Sequence, residues 1–210
     1  MLSGSVVNAQ LAAAVGDPAN PPQISPGLLS SLALDQLNSA ETDAIKNVNG
    51  LKESFGNGVS TSITIFNATG GDLNLATSVD QHGHIGQEPY DSIIRNGQAS
   101  GVLHVKTSGA ATGSTGMVAY SIELDNLFFV LVWINPFNHA ASSPKAKAYI
   151  QSEGQFNQNR GGDPYFANTD SSGSSGGEYR DQPTPIRAQW TIGNETSPHL
   201  RVILSRFPNQ

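Results

Sequence analysis

Two histidines separated by one glycine are the residues of this sequence whose spacing first suggests chemistry. On an extended segment, His82 and His84 would project from the same side, as metal ligands often do. A third ligand would have to come from elsewhere, such as Asp80, Glu88 or His104. The alternative is a polar loop with hydrogen-bonded imidazoles. We expect the polar loop, and therefore neither a metal nor another cofactor.

A loop of small residues is the second candidate. Residues 109–114 (GAATGS) follow Lys106 closely, and such a loop can present several backbone N–H groups to an anion. It is not a Walker loop, because no Gly-Lys-Ser/Thr follows. The alternative is a hairpin loop that needs small residues for its turn. The first interpretation predicts a bound ligand and the second does not.

Support for catalysis or nucleic-acid binding is weak. No G-x-S-x-G elbow occurs, and the 17 acidic residues offer no assignable pair of glycosidase type. Cysteine is absent, which excludes disulfides, thiolate zinc sites and cysteine nucleophiles. A net charge of −6 with 11 Lys and Arg disfavours nucleic acid. We therefore expect a binding protein rather than an enzyme.

The elements that would position these residues are mostly β-strands. A chain of 210 residues with 22 Gly, 12 Pro and only 13% charged residues is typical of an all-β domain with many turns. Short β-branched and aromatic runs recur between turn residues and predict a sandwich. These runs are residues 62–66, 72–78, 100–106, 117–122, 127–134, 145–150, 186–192 and 200–207. The run 127–134 is apolar throughout, which predicts a central strand buried on both faces.

Changes in composition predict the domain organisation. The segment DPANPP disfavours regular structure, so residues 1–24 are predicted to form a mobile tail. Ser25 before Pro26 suits a helix N-cap, and residues 25–56 are predicted to be helical and to pack on a sandwich formed by residues 57–210. A polar stretch at 153–185, which contains DSSGSSGGEYR, is predicted to be a flexible insertion.

The predicted helical segment has an apolar face. Its members recur at roughly helical spacing and are Leu28, Leu32, Leu37, Ala44, Val48, Leu51 and Phe55. Packing of this face against a sheet is the first interpretation, and insertion into a membrane is the second. Asn47 and Asn49 argue against strong insertion.

The first residues also bear on location. MLSGSVVNAQLAAAVG ends in small residues but lacks the basic region of a signal peptide. A cysteine-free chain fits a reducing compartment. The sequence therefore predicts a cytoplasmic protein, with secretion as the alternative.

Five segments in order resemble a known family. They are NGLKESFGNGVST, IFNATGGDL, HGHIG, PYDSIIRNGQ and LHVKTSGAATGS. Together they resemble the plant jasmonate-induced protein family, small cytosolic stress and defence proteins of roughly this length. The resemblance is clear over residues 34–138 and loose in the C-terminal third. The pattern is similar, more distantly, to the actinoporin and aegerolysin cytolysins. It implies a mainly β fold, a two-sheet antiparallel β-sandwich with one or two N-terminal amphipathic helices.

The similarity to cytolysins also implies a ligand site. A phosphate or phosphocholine headgroup would lie near the small-residue loop, held by Lys106, Gly109, Thr112, Gly113 and Ser114, with Ser92, Pro136 and Tyr149 as weaker companions. The polar loop candidates are His82, His84, Asn96 and Gln98.

The chain departs from the family where aromatic residues are concerned. Family members usually carry Trp where this chain has Gln81 and Ala99, and a Tyr-Arg-Gly where it has residues 120–122, Tyr-Ser-Ile. Exposed aromatics bind well at the membrane–water boundary, so their loss weakens a lipid-binding claim. Trp133 and Trp190 lie in strand-like runs and are expected in the core.

Three functions follow from these observations. The first is a non-enzymatic stress or defence protein of the jasmonate-induced type with a ligand-binding sandwich. The second is a lipid-binding, pore-forming cytolysin, a toxin with insecticidal or antimicrobial effect. The third is a lectin-like carbohydrate binder. The predicted partner is thus a lipid headgroup or a glycan and not nucleic acid, and self-association is left open.

Overall fold

The computed structural model describes residues 1–15, 24–180 and 184–207, and in these residues two β-sheets pack face to face. The strands of the first sheet are β1 Leu2–Ser3, β2 Ser60–Ala68, β4 His84–Ile85, β6 Ala99–Val105, β10 Gly176–Arg180, β11 Ile186–Ile192 and β12 His199–Arg206. Their order is β1-β6-β2-β12-β11-β10, and β4 also pairs with β6. The pairings are antiparallel except that of β2 with β12, which is parallel.

The second sheet is antiparallel in all its pairings. Its strands are β3 Leu73–His82, β5 Ile93–Ile94, β7 Ser114–Ile122, β8 Leu127–Asn135 and β9 Lys145–Ser152, in the order β5-β3-β7-β8-β9. The two-sheet β-sandwich predicted from the sequence is thereby confirmed. The one parallel pair is a feature that strand periodicity does not reveal.

The main core lies between the two sheets, and β8 illustrates how it is built. Phe129, Leu131 and Trp133 alternate along β8 into this core, whereas Val130 and Val132 face the opposite side of the sheet. Because both faces of β8 are covered, its apolar run follows the pattern of a strand buried on both sides. Trp133 and Trp190 both belong to the main core, as the sequence predicted.

Two N-terminal helices cover the outer face of the first sheet: α2 Pro26–Leu34 and α3 Leu37–Phe55. The Ser25 side chain accepts a hydrogen bond from Leu28 N, so it caps α2 as predicted. Ala44 and Val48 of α3 are buried against β6. Complete burial of a side chain such as Val48 contributes about 1.5–3 kcal/mol. This face packs on the sheet.

Two segments have more regular structure than the sequence suggested. Where a mobile tail was expected, β1 pairs with β6, and helix α1 Ala9–Val15 packs beside α2. Residues 16–23 lie outside the described residues. Where a flexible insertion was expected at 153–185, the chain forms α4 Glu153–Asn159, α5 Asp163–Ser172 and β10. Residues 181–183 are not among those described.

Packing explains why the polar composition of residues 153–180 did not reveal their regular secondary structure. Phe156, Tyr165 and Phe166 are buried under α4 and α5 against the outer face of the second sheet. Phe156 stacks on Phe128 with ring centroids 4.4 Å apart. A few aromatic anchors therefore hold a segment whose other residues are mostly exposed and polar. Among the described residues, no helix is long and apolar enough to cross a membrane.

Candidate functional site

The histidine pair is divided between two surfaces. Gly83 has a φ of +94°, and a side chain there would clash with Val105 O, so the chain turns sharply between the two imidazoles. His82 lines a cleft beside α5, whereas His84 borders a groove beside α3. No cluster of three or more potential metal ligands occurs in the part of the chain that the structure describes.

A third histidine forms a buried polar link between the sheets. His104 is fully buried, with Nε2 3.1 Å from Asp80 Oδ1 and Nδ1 2.8 Å from Ser114 Oγ. Ser114 Oγ is also 2.8 Å from Thr61 Oγ1. Because an ionised carboxylate only accepts hydrogen bonds, Nε2 carries the proton towards Asp80. The hydrogen bond to His104 is the main cause that lowers the pKa of Asp80. The sequence interpretation named Asp80 and His104 only as possible further metal ligands beside His82 and His84, and it did not reveal that the two side chains form a hydrogen bond with each other.

Asp80, His104 and Ser114 are linked in the order of a catalytic triad, but the Ser114 hydroxyl does not open onto a cleft. Ser114 has no solvent exposure, and its hydroxyl already contacts Thr61 and His104. A nucleophile needs room for a substrate beside its oxygen. Strands β2 and β6 of one sheet are thus joined to β7 and β3 of the other by a buried hydrogen-bond network.

Asn96 is also occupied internally. Its amide nitrogen donates to Val7 O and Leu29 O, each at 3.0 Å, and its side-chain oxygen accepts from Gly70 N at 2.9 Å. This one side chain therefore holds the N-terminal segment and α2 against the sandwich. Gln98 is more exposed and makes two longer hydrogen bonds, from Arg95 N at 3.3 Å and to Gly4 O at 3.4 Å.

The small-residue loop holds the side-chain ammonium group of Lys106. Lys106 Nζ donates to Thr107 O at 3.3 Å and to Ala110 O at 3.2 Å, so the loop carbonyls hold the cation at this end of the sandwich. Gly109 adopts a φ of +74°, which closes the turn. The sequence suggested that the loop offers N–H groups to an anion. In the structure its anion-attracting group is the lysine.

An aromatic residue stands beside this lysine. Phe137 follows β8, is 48% exposed, and has Lys106 Nζ 5.9 Å from its ring centroid. Lys52 Nζ lies 5.1 Å from the ring centroid of Phe55 at the end of α3. A methyl group placed on Gly58 would contact both the Phe55 ring and Lys106 Cε, so the two pairs adjoin. We call Lys52, Phe55, Lys106 and Phe137 the aromatic–basic corner.

Burial affects the pKa of one lysine of this corner. Desolvation lowers the pKa of Lys52, whose ammonium donates to Gly56 O and Gly58 O, each at 2.9 Å. No pattern in the sequence assigned Lys52 or Phe137 to a site. A Phe directly after a strand-ending Asn-Pro, where no further strand residue covers it, was the available signal.

The predicted headgroup residues are only partly brought together. Lys106, Gly109, Thr112 and Gly113 share the loop between β6 and β7, and Gly113 packs against the backbone of Asn135 and Pro136. Ser114 belongs to the same end but is buried.

Two companions lie elsewhere. Ser92 O accepts from Leu75 N, and Leu75 pairs with Tyr120, six residues along β7 from Ser114 and so about 20 Å away at the rise of a strand. Tyr149 packs under α5 on the outer face of the second sheet and donates to Asn168 Oδ1. The eight residues therefore do not form one pocket.

The apolar face of the N-terminal helices is largely covered. Leu32 and Leu37 pack in a cluster with Phe66 on the first sheet, and Leu28 is half-buried. Ala44 and Val48 have essentially no exposed surface. Insertion into a membrane would require this whole face to leave the sheet. Leu51 and Phe55 remain partly exposed.

Comparisons with known proteins agree with this architecture. A family model described as "Nakanori-like protein" matches residues 22–207. The chain is 38% identical over 133 residues to a 23 kDa jasmonate-induced protein of Hordeum vulgare. That match covers 62% of this chain and 62% of the barley protein, so the chain spans less than two thirds of that relative's length.

Among solved structures, the crystal structure of the lipid-binding protein Nakanori superposes with a TM-score of 0.90 and 26% identity, covering 98% of this chain and 100% of that one. The RahU protein, solved with a TRIS molecule, gives a TM-score of 0.40 at 10% identity over 72% of this chain and 98% of that chain, a likeness too low to support an argument.

Proposed function

Because the chain belongs to the Nakanori-like protein family, we propose that it is a lipid-binding β-sandwich that attaches to the surface of a membrane. The observation that carries the proposal is the near-complete overlap with a protein described as lipid-binding, helices included. The proposal contains no catalytic step.

We propose the aromatic–basic corner as the surface that meets the membrane. An exposed ring such as that of Phe137 is stabilised at the membrane–water boundary, and the neighbouring lysine can reach lipid phosphates. The net charge of −6 does not attract an anionic surface, so attraction has to come from a local group of lysines.

Attachment without pore formation is the finer part of the proposal. The apolar face of α3 is already packed on β2 and β6, and its release would expose Ala44 and Val48 to water before any membrane could accept them. Pore formation of the cytolysin type is therefore the less favoured alternative.

A role in stress or defence, with a cytoplasmic location, is also a proposal. The stress or defence role rests on the similarity to a barley protein described as jasmonate-induced. The cytoplasmic location rests on the lack of cysteine, which fits a reducing compartment. A fluorescent fusion imaged in plant cells before and after jasmonate treatment tests it, since a fusion found only outside the cell would contradict the cytoplasmic part.

Co-sedimentation with vesicles, scored together with dye leakage, tests the proposed function. The vesicles are phosphatidylcholine alone and the same lipid mixed with phosphatidylserine or with a sterol. Binding without leakage is the expected result. Binding with leakage would retain lipid binding but contradict simple attachment. Absence of binding to all three would contradict the function and leave carbohydrate binding to be tested on a glycan array.

A matched pair of variants tests the surface. Phe137→Ser removes the exposed ring at the proposed corner, and Leu124→Ser removes a side chain of similar exposure, 51%, from the turn at the other end of the sandwich. We expect Phe137→Ser to weaken vesicle binding about tenfold, because one apolar side chain would no longer be buried in the membrane. Leu124→Ser should bind like the wild type. Equal effects of the two changes would place the contact elsewhere.

A further inference from the structure

A groove of about 300 Å³ opens beside the aromatic–basic corner, between the end of α3 and the short strand β4. Its apolar lining comes from α3, β4 and β6: Leu51, Phe55, Ile85, Leu103 and Val105. His84 and Gln87 are the polar side chains that border it. The groove is therefore an apolar slot at the same end of the molecule as Lys106 and Phe137.

The packing of α3 explains why the groove exists. In the middle of the helix, β6 presents Gly101, where a Cβ atom would come 2.7 Å from Val48 and 2.9 Å from Ala44 O, so helix and strand touch there. Towards its end, α3 carries the larger Leu51 and Phe55, which stay partly exposed over Leu103 and Val105. The space between α3 and β4 is thus floored by apolar atoms and open above. An exposed apolar concavity of this kind is typical of a ligand-binding groove.

The charges near the groove indicate what could occupy it. Lys52 and Lys106 flank the Phe55 ring, and the lining residues of the described chain include no Asp or Glu. An ammonium group has three N–H donors, and each of these two uses two donors on backbone carbonyls, which leaves one for a ligand. An apolar slot beside two such donors complements an amphiphile with a phosphate group.

We propose that this groove takes one acyl chain of a membrane phospholipid while Lys52 and Lys106 contact its phosphate. The inference rests on the proposed function and adds its chemical class of ligand and its site. The corner would then hold one lipid molecule in addition to touching the membrane surface, because chain and headgroup are bound at once.

Binding of a soluble short-chain lipid tests this site without a membrane. Monomeric dihexanoyl phosphatidylcholine is titrated into the full chain and followed by amide NMR shifts, with glycerophosphocholine as the chainless control. We expect the shifts to centre on Leu51, Ile85 and Val105. The chainless compound should bind at least about tenfold more weakly, because each buried methylene contributes about 0.8 kcal/mol to the binding free energy.

Variants of α3 make the test specific. Leu51→Trp fills the groove while keeping the surface apolar, and Leu51→Asp places a carboxylate in it, so both should weaken short-chain lipid binding about tenfold or more. Ser54→Asp carries the same charge change on the exposed side of the same helix and should bind as the wild type does. Thermal unfolding of each variant confirms that the comparison is made between folded proteins.

The outcomes separate this inference from the proposed function. Vesicle binding by the wild type together with unchanged short-chain binding by Leu51→Trp would overturn the groove and leave the function standing. A failure of the wild type to bind vesicles, with normal groove binding of the short-chain lipid, would overturn the function but not the site. If a soluble sterol sulfate shifted the amide signal of Leu51 and the short-chain phospholipid did not, the acyl-chain assignment would be overturned.

Discussion

Two turns of this molecule each combine a polar side chain with glycine, but they differ in how the polar group is used. At Asn96 the side-chain amide is 2% exposed and makes three hydrogen bonds to backbone groups of the N-terminal segment, α2 and the turn at Gly70. At Lys106 the ammonium group is held at the surface by its own loop, next to an exposed ring. The Asn96 amide stabilises the fold, whereas the Lys106 ammonium keeps a donor that a ligand can reach. A polar residue in a glycine-rich turn therefore indicates binding only when its internal partners leave it a free donor or acceptor.

The largest effect is expected at the internal turn. Asn96→Ala removes three hydrogen bonds and leaves buried backbone groups without partners, so the free energy of unfolding should fall by about 3 kcal/mol. Denaturant titration measures it. Gln98→Ala, which removes only two long hydrogen bonds near the surface, is the control and should cost under about 1 kcal/mol. An Asn96→Ala protein as stable as the wild type would contradict the structural role assigned to this turn.

At the exposed corner, Lys106→Gln should alter binding and leave stability almost unchanged. A lysine near an anionic surface contributes about 1 kcal/mol, so the affinity for phosphatidylserine vesicles should fall about fivefold. The difference from the wild type should shrink as salt is raised, because exposed charges are screened. Lys46→Gln, on an outward turn of α3, is the control. A loss of stability comparable to that of Asn96→Ala would show that Lys106 is structural as well.

The buried network adjacent to the corner gives a prediction about pH. The pKa of Asp80 is lowered in the folded state, mainly by the hydrogen bond to His104. Its contribution is therefore present above the unfolded pKa, about 3.9, and is lost as pH falls through the folded pKa. Asp80→Asn should cost about 1 kcal/mol or less at neutral pH, because about a third of the side chain is exposed. Unfolding curves from neutral pH down to acid pH should converge for the two proteins, and a constant gap would contradict the assignment.

His199 should give the smallest effect. Burial lowers its pKa, and its Nε2 lies 2.9 Å from Thr64 Oγ1. The neutral imidazole is favoured in the folded protein, so stability should decline as pH falls below about 6.5 towards the folded pKa. His199→Gln should flatten this part of the stability curve, whereas Gln87→Ala, which changes no titratable group at an exposed site, should not. Identical slopes for both variants would remove His199 from the explanation.

Much of the fold could be predicted from the sequence because its signals are local. Ser25 before Pro26 marks a helix start, and the uninterrupted apolar run of β8 marks a strand covered on both faces. Tryptophans 133 and 190 were correctly placed in the core on the same grounds. The ordering of residues 1–15 and 153–180 could not be predicted, because it depends on a few distant contacts such as Val7 N to Asn96 O and Phe156 on Phe128.

The candidate site was predictable only in part. Lys106 and its loop lie at the proposed corner, but Tyr149 and Ser92 do not. Those two residues were named through the similarity to cytolysins, and a similarity of fold does not determine distances within this chain. Lys52 and Phe55 meet Lys106 through the packing of the end of α3 beside the β6–β7 loop, with Gly58 between the Phe55 ring and Lys106. No spacing in the sequence relates those residues.

The strand and helix pattern and the family resemblance can be inferred from the amino-acid sequence alone, because side-chain periodicity and turn residues act over a few neighbours. The three-dimensional packing, in contrast, shows that His82 and His84 face different clefts, that Ser114 is buried between the sheets, and that two lysines and two phenylalanines meet at one corner. The physical reason is that exposure and free hydrogen-bonding capacity are set by contacts between residues far apart in the chain.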